Sequence, residues 1–299
     1  MNYTDFNLPN LLPEQIKQNE PMSNHTTFKI GGAARFFITP YNTNEVFNII
    51  NECHRTDTKY IVIGNGSNLL FADEGYDGVV ISTKKIDFCE LVSDTAIKAG
   101  AGANLSKIAN CALDNSLSGF EFASGIPGSL GGAVYMNAGA YNGEIRDVFE
   151  SAEVLDSDGN IKTLTLNDMA FGYRKSIAQK DKLIILSAVI NLQKGDYMEI
   201  KNNMLSFNKQ RAEKQPIEKP SAGSAFKRPP GHFAGKLIMD CGFRGYTIGG
   251  AQVSEKHCGF IINKGGATAQ DVLELINHII KTVQERYGIV LEPEIKVIK

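Results

Sequence analysis

Two glycine-rich stretches, sixty residues apart, set the tightest limit on this chain: Gly64-Asn65-Gly66-Ser67-Asn68 and Ser124-Gly125-Ile126-Pro127-Gly128-Ser129-Leu130-Gly131-Gly132. Neither heads a long helical pattern, so each reads as a short connection. A loop without Cβ atoms can take positive φ and turn consecutive amide N–H groups toward an anion. Two such loops point to a dinucleotide held between them. A diphosphate carrying a flat ring at one end would use both.

The first stretch follows the apolar run Tyr60–Ile63, but Leu69 stands where a dinucleotide fingerprint has its third glycine, and Leu70–Gly75 has no helical period. Both facts argue against a Rossmann unit, in which pyrophosphate sits on a helix N-terminus. A backbone nest for phosphates, with Ser67 and Asn68 as added donors, and a plain tight turn both stay open. The second stretch holds four glycines and a proline within nine residues, and Ala133, Ala138, Gly139 and Ala140 extend its small-residue character. A broad ring such as isoalloxazine lies flat on a backbone wall only where side chains are this small. The alternative is a buried turn packed on a neighbouring helix.

Composition removes several function classes. An apolar share of 42% and a charged share of 21% describe a globular chain of 299 residues, long enough for about two or three domains. A formal net charge of −2 gives no electrostatic case for nucleic acid or a membrane surface. Five scattered cysteines without a C-x-x-C pair argue against a disulfide framework or zinc site and for a cytoplasmic protein. The N-terminus lacks the apolar core of a signal peptide, and the run Leu183–Leu192 is too short to span a bilayer.

Along the chain, residues 1–23 read as a loosely ordered lead-in. Helical spacing of Val46, Ile49, Ile50 and Cys53 predicts a helix over 44–55, and Asn104 is placed to cap another with Leu105, Ile108, Ala109 and Leu113 as its apolar face. Tyr60–Ile63 and Val79–Ile81 read as strands. Ala152–Leu164 reads as a hairpin turning at Asp156–Gly159, and Leu183–Leu192 as a strand. A helix-compatible stretch from 199 to 214 follows a domain boundary near 195. Thr268 and Asp271 form a capping box for a helix ending at Tyr287, and a last strand carries Glu292, Pro293 and Glu294.

Ser224 lies outside any G-x-S-x-G elbow, which excludes that route to an acyl-transfer nucleophile. With Lys227 and Arg228 nearby it can donate a proton, because cations make the transient alkoxide tolerable. An ordinary turn serine is the other reading. Arg174 and Glu294, taken singly, read as solvated surface groups.

Jointly these segments resemble the UDP-N-acetylenolpyruvoylglucosamine reductase family, flavoproteins of peptidoglycan precursor synthesis. The resemblance rests on Asn24–Gly32, the two glycine loops, Asn137-Ala138-Gly139-Ala140-Tyr141 and Tyr173-Arg174-Lys175-Ser176. It continues through Gly223-Ser224-Ala225-Phe226-Lys227, Gly249–Ser254 and Leu291-Glu292-Pro293-Glu294. It implies an α+β chain with an FAD-binding fold of the vanillyl-alcohol-oxidase (PCMH-like) kind. That fold would occupy 24–195 as two subdomains split near 85–95, with an α+β substrate domain over 196–299. Only fifty residues separate Arg174 from Ser224, so the chain resembles the shorter, type II form, without the inserted segment that bears a substrate-clamping tyrosine.

The resemblance further implies that FAD is held by Gly64, Asn65, Gly66, Ser67, Asn68, Ser124, Gly125, Ile126, Pro127, Gly128, Gly131, Gly132 and Ala133. Arg228 would meet the flavin or the substrate phosphates. NADPH would be the reductant and a UDP-linked amino-sugar enolpyruvyl ether the substrate. Ser224 would donate a proton, while Arg174 and Glu294 orient the carboxylate and stabilise the enol form. Tyr173, Lys214, Lys227 and Gln252 would contact substrate, with no metal involved. Two rival readings are an FAD-dependent alcohol or hydroxy-acid oxidase of the same fold, and a nucleotide-binding module without turnover.

Overall fold

Helices form where apolar period and end signals coincide. The computed structural model describes residue 8 and residues 11–299. Asn42 Oδ1 accepts from the Glu45 amide at 3.0 Å and starts α1 (Thr43–Arg55), which buries Val46, Ile49, Ile50 and Cys53 as the spacing predicts. α2 (Leu105–Asp114) buries the expected face. The short α3 (Leu130–Met136) and α4 (Ile177–Lys180) follow, then α5 (Tyr197–Lys214) and α6 (Ala234–Asp240). The last helix, α7 (Ala269–Tyr287), has the reciprocal Thr268–Asp271 capping box and ends on Gly288 at φ +67, the left-handed geometry glycine adopts freely.

The chain divides into two compact units. The first comprises the described residues up to Lys17, Phe36–Asn65 and Gly78–Gln210; the second comprises Gln18–Arg35, Gly66–Asp77 and Arg211–Lys299. Unit one holds a five-stranded antiparallel sheet in the spatial order Ile161–Thr165, Phe149–Leu155, Ile184–Asn191, Ala96–Gly100, Cys89–Leu91. α2 and α3 pack on it around Ile97, Leu105, Ile108, Leu130 and Val134. A second core joins α1 to the parallel pair Tyr60–Ile63 and Val79–Ser82 through Ile38, Ile49, Val79 and Ile81. In unit two, Ser221–Ser224, Phe260–Asn263, Ala251–Val253 and Thr247–Ile248 form an antiparallel sheet that shares its core with α6 and α7.

Three local expectations differ from the structure. Within the 1–23 lead-in, residues 1–7, 9 and 10 lie outside the described residues, and Ile16–Pro21 is a sheet strand rather than loose chain. Its anchor is the buried Gln15, whose Nε2 donates to Thr39 O (3.0 Å) and Glu45 Oε2 (2.7 Å). The final strand is Lys296–Ile298, parallel to Leu69–Phe71, and Glu292–Glu294 precede it. α6 goes unread in the sequence because, at seven residues, it spans too few turns to show a period.

In the Phe149–Leu155 hairpin, Asp156 Oδ1 accepts from the amides of Asn160 (2.8 Å) and Asp158 (3.0 Å), and Oδ2 pairs with Lys162 at 2.5 Å. Lys162, then the Asn160 and Asp158 amides, hold the Asp156 carboxyl down to about 2 from its ordinary 3.8. A depressed carboxylate pKa stabilises the fold above the unfolded value, and that contribution fades as pH falls through the folded value. We predict that Asp156→Asn lowers the thermal midpoint at neutral pH. The gap from the parent protein should narrow as pH falls from about 4 toward 2, the window between these values. A gap constant across that range would contradict the assignment.

Candidate active site

The two glycine loops meet inside unit one. A Cβ on Gly64 would stand 1.9 Å from Ser129 Oγ and 3.1 Å from Ser129 Cβ, so glycine is what admits this approach. Asn65 Nδ2 donates to Asn104 Oδ1 at 2.7 Å, and Asn104 forms an antiparallel bridge with Ser129. Asn104 therefore occupies the N-cap position of α2 without using its side chain as a cap. Its acceptor is committed to the first loop.

Ser129 Oγ is buried and, among the described residues, has no hydrogen-bond partner. Beside it, a Cβ on Gly132 would meet only that hydroxyl, at 3.7 Å. A buried hydroxyl left unpaired costs about 1–3 kcal/mol. The glycines beside it, Gly64 and Gly132, fit a ligand that brings hydrogen-bonding oxygens, as a dinucleotide diphosphate does.

The second loop is not a free nest throughout. Leu130 N donates to Ala103 O (2.9 Å) and Gly131 N to Ala101 O (2.8 Å), and a Cβ on Gly131 would come within 2.9 Å of Ala101 Cβ. Gly131 thus serves close packing. Ser124 is buried with Oγ 3.5 Å from Asn208 Oδ1, Ile126 N bonds to Ala123 O, and Ala133 is buried in α3. Gly128 O accepts from the Leu105 amide, Gly125 is half-buried, and Pro127 is exposed.

The remainder of the first loop belongs to unit two. Gly66 takes φ +64, and a Cβ there would lie 2.3 Å from His25 O. Ser67 is half-buried. Asn68 Nδ2 donates to Glu294 O (3.1 Å) and its carbonyl accepts from Lys296 N (3.0 Å), so Asn68 fixes the backbone that carries Glu294.

Also in unit two, Glu294 N donates to Ala225 O (2.9 Å), Phe226 bridges Pro293, and Lys227 N donates to Glu292 O (2.9 Å). Ser224 and Glu294 are therefore carried on adjoining extended segments. Gly223, at φ +76 with open space around it, makes the irregularity that ends the Ser221–Ser224 strand with Ser224 exposed. The Lys227 ammonium pairs with Glu292, and the Arg228 guanidinium stacks 4.1 Å from the Phe233 ring centroid. Gln252 Nε2 donates to Gly245 O and Thr247 Oγ1, both at 3.1 Å, within its own hairpin. Lys214 is exposed at the end of α5.

Arg174 belongs to unit one. It occupies a tight turn closed by the Gly172–Lys175 pair, at φ +55, with its guanidinium 5.1 Å from the Tyr173 ring centroid. Tyr173 is 49% exposed, so the pair faces solvent on its aromatic side.

Two family models match the chain: an FAD binding domain over residues 34–165, and the C-terminal domain of UDP-N-acetylenolpyruvoylglucosamine reductase over 215–298. The UDP-N-acetylenolpyruvoylglucosamine reductase of Caldanaerobacter subterraneus subsp. tengcongensis is 53% identical over 280 residues, 94% of this chain and 92% of that one. The chain belongs to the UDP-N-acetylenolpyruvoylglucosamine reductase family. A reductase of the same name from Clostridium perfringens (strain SM101) is 48% identical over 95% of this chain and 93% of its own. The crystal structure of the Thermus caldophilus reductase (MurB) superposes with a TM-score of 0.80 at 36% identity, covering 93% of this chain and 97% of that one. The α+β, FAD-binding fold read from the sequence agrees with these matches.

Ser129 and Asn104 escaped the residue-level reading of the site. Ser129 is visible as the one polar residue between Gly128 and Leu130-Gly131-Gly132, but its burial is a tertiary fact. Ser129→Ala gives a test with opposite signs. Removing a buried, unpaired hydroxyl should leave the thermal midpoint of the FAD-free protein unchanged or raised, while FAD affinity falls about tenfold, or 1.4 kcal/mol. Unchanged FAD affinity by equilibrium dialysis would show that this hydroxyl meets no ligand.

Proposed function

We propose that this chain catalyses the NADPH-dependent reduction of UDP-N-acetyl-3-O-(1-carboxyvinyl)-glucosamine to UDP-N-acetylmuramate through FAD, a step of peptidoglycan precursor synthesis. The observation that carries this reading is family membership at 53% identity over 94% of the chain, with the FAD binding domain match spanning both glycine loops. The flavin domain falls within 24–195 and the substrate domain within 196–299. A cytoplasmic setting accords with five free thiols. No helix among the described residues is long and apolar enough to cross a membrane.

The chemistry FAD supplies when bound is hydride transfer, from NADPH and onward to the terminal vinyl carbon of the ether. Hydride addition there leaves negative charge shared with the adjacent carboxylate, and the carbon beside that carboxylate then takes a proton. Ser224 supplies it, from the exposed end of its strand with cationic Lys227 three residues on. Arg174 pairs with the substrate carboxylate, and Glu294 helps stabilise the enol form. Donors aimed where charge develops are worth about 3–4 kcal/mol each in such sites.

Tyr173, Lys214, Lys227 and Gln252 contact the substrate on this reading, Lys214 at its diphosphate, and Arg228 meets the flavin or the substrate phosphates. Bound substrate must compete with Glu292 for Lys227. The test separates the two half-reactions. In Ser224→Ala, NADPH should bleach the flavin at the parent rate, while the enolpyruvyl ether reoxidises it about 10²–10⁴-fold more slowly, the range for a lost general acid. Equal slowing of both half-reactions would contradict the proton-donor role.

A further inference from the structure

Arg174 stands in a conformation that its residue type disfavours. In the Gly172–Lys175 turn it is the second central residue, at φ +55, a position that glycine or asparagine normally takes. For an arginine the left-handed region brings Cβ close to the following carbonyl oxygen, a steric cost that glycine does not carry. Such strain persists only where surrounding structure fixes it, and it concentrates where geometry serves function.

The fixing groups are two side-chain amides. Asn137 is completely buried at the C-cap of α3; its Nδ2 donates to Gly172 O and to Glu144 Oε2, both at 3.1 Å, and its Oδ1 accepts from Arg146 N at 3.0 Å. Gln179, on α4, donates through Nε2 to Arg174 O (3.0 Å) and Tyr135 O (2.9 Å). Ser176 Oγ also donates to Tyr135 O, at 2.7 Å. The turn is thus held at the carbonyls of Gly172 and Arg174, each by one amide.

The neighbouring hairpin is fixed in the same manner. Tyr141 and Asn142 both take positive φ (50° and 66°) between Gly139-Ala140 and Gly143-Glu144, the demand of a two-residue hairpin loop. The Tyr141 ring stacks on Phe207 at 4.6 Å and its hydroxyl donates to Phe207 O at 2.9 Å. That hairpin presents Gly139 O 3.5 Å from Arg174 Nη2. Asn137, Tyr141, Asn142 and Arg174 are all left-handed and non-glycine, and the Arg174 guanidinium meets this hairpin at Gly139 O.

From this arrangement we infer that Asn137 and Gln179 are positioning residues for Arg174, holding its guanidinium in place to receive the substrate carboxylate. The inference rests on the role given to Arg174 above. It adds that the arginine is set before substrate arrives, by a clamp on its backbone. A displacement of about 1 Å in such a group costs on the order of 10²-fold in rate.

Asn137→Gly is the discriminating variant, because glycine accepts φ 45° without strain while the carboxamide is lost. In the FAD-loaded protein under anaerobic conditions, NADPH should bleach the flavin at the parent rate. UDP-N-acetyl-3-O-(1-carboxyvinyl)-glucosamine should reoxidise it at least about tenfold more slowly. In an Arg174→Ala background the same substitution should change reoxidation less than about twofold, since the two residues act as one unit. Gln179→Met, read the same way, keeps the inference testable if Asn137→Gly fails to fold.

A slowed Arg174→Ala beside a parent-like Asn137→Gly would overturn the clamp alone. So would a full additional slowing by Asn137→Gly in the Arg174→Ala background. Parent-like reoxidation by Arg174→Ala would remove the role of Arg174 itself, and the clamp with it.

Discussion

The approach of Gly64 to Ser129 is the constraint on which the rest of unit one depends. A Cβ on Gly64 would occupy the place of the Ser129 hydroxyl. Around this contact, the parallel strand Tyr60–Ile63 delivers one loop, α3 begins on the other, and Asn104 joins them through Asn65 and the Ser129 backbone. The glycines thus do two different jobs. Gly64 and Gly131 let backbone segments close on each other, whereas Gly132 leaves open space next to an unpaired hydroxyl. Close packing builds the wall, and on the function proposed above the open space would receive a flat ring and its diphosphate.

Unit two is organised by a different device. The segment Ala225–Lys227 lines up with Glu292–Glu294 through alternating backbone hydrogen bonds, and Asn68 secures the far side of Glu294. Neither segment is a long strand, so the register rests on few bonds. The buried Ala225, Phe226, Leu291 and Ile295 set it by packing into the core of α6 and α7. Ser224 and Glu294 are thereby fixed in sequence-distant segments by their buried apolar neighbours.

Much of this was legible in the sequence, and for identifiable reasons. α1 and α7 announce themselves because helix period and N-cap agree, with a terminal glycine added at α7, while α2 shows through its apolar period. The glycine loops are legible as loops, and the resemblance to the reductase family supplied their ligand. What stayed hidden was partnership at long range. Asn104 looks like a simple cap until Asn65 takes its acceptor, and Asn68 looks like a phosphate donor until Glu294 takes its amide. Asn137 stands within the motif Asn137–Tyr141, yet nothing local says that it is buried and bonded to Gly172, thirty-five residues away. Left-handed φ at Arg174 is equally invisible, since position 174 itself holds neither glycine nor asparagine to signal it.

We propose a flavin, held by two backbone-lined loops, that passes electrons from NADPH to an enolpyruvyl ether. The most direct measurement is the visible spectrum of the purified, FAD-loaded protein through one anaerobic cycle. NADPH should bleach it stoichiometrically, and UDP-N-acetyl-3-O-(1-carboxyvinyl)-glucosamine, added without oxygen, should restore the full colour with one equivalent of UDP-N-acetylmuramate formed per flavin. Colour that returns only when oxygen is admitted, or protein that retains no flavin, would contradict the account.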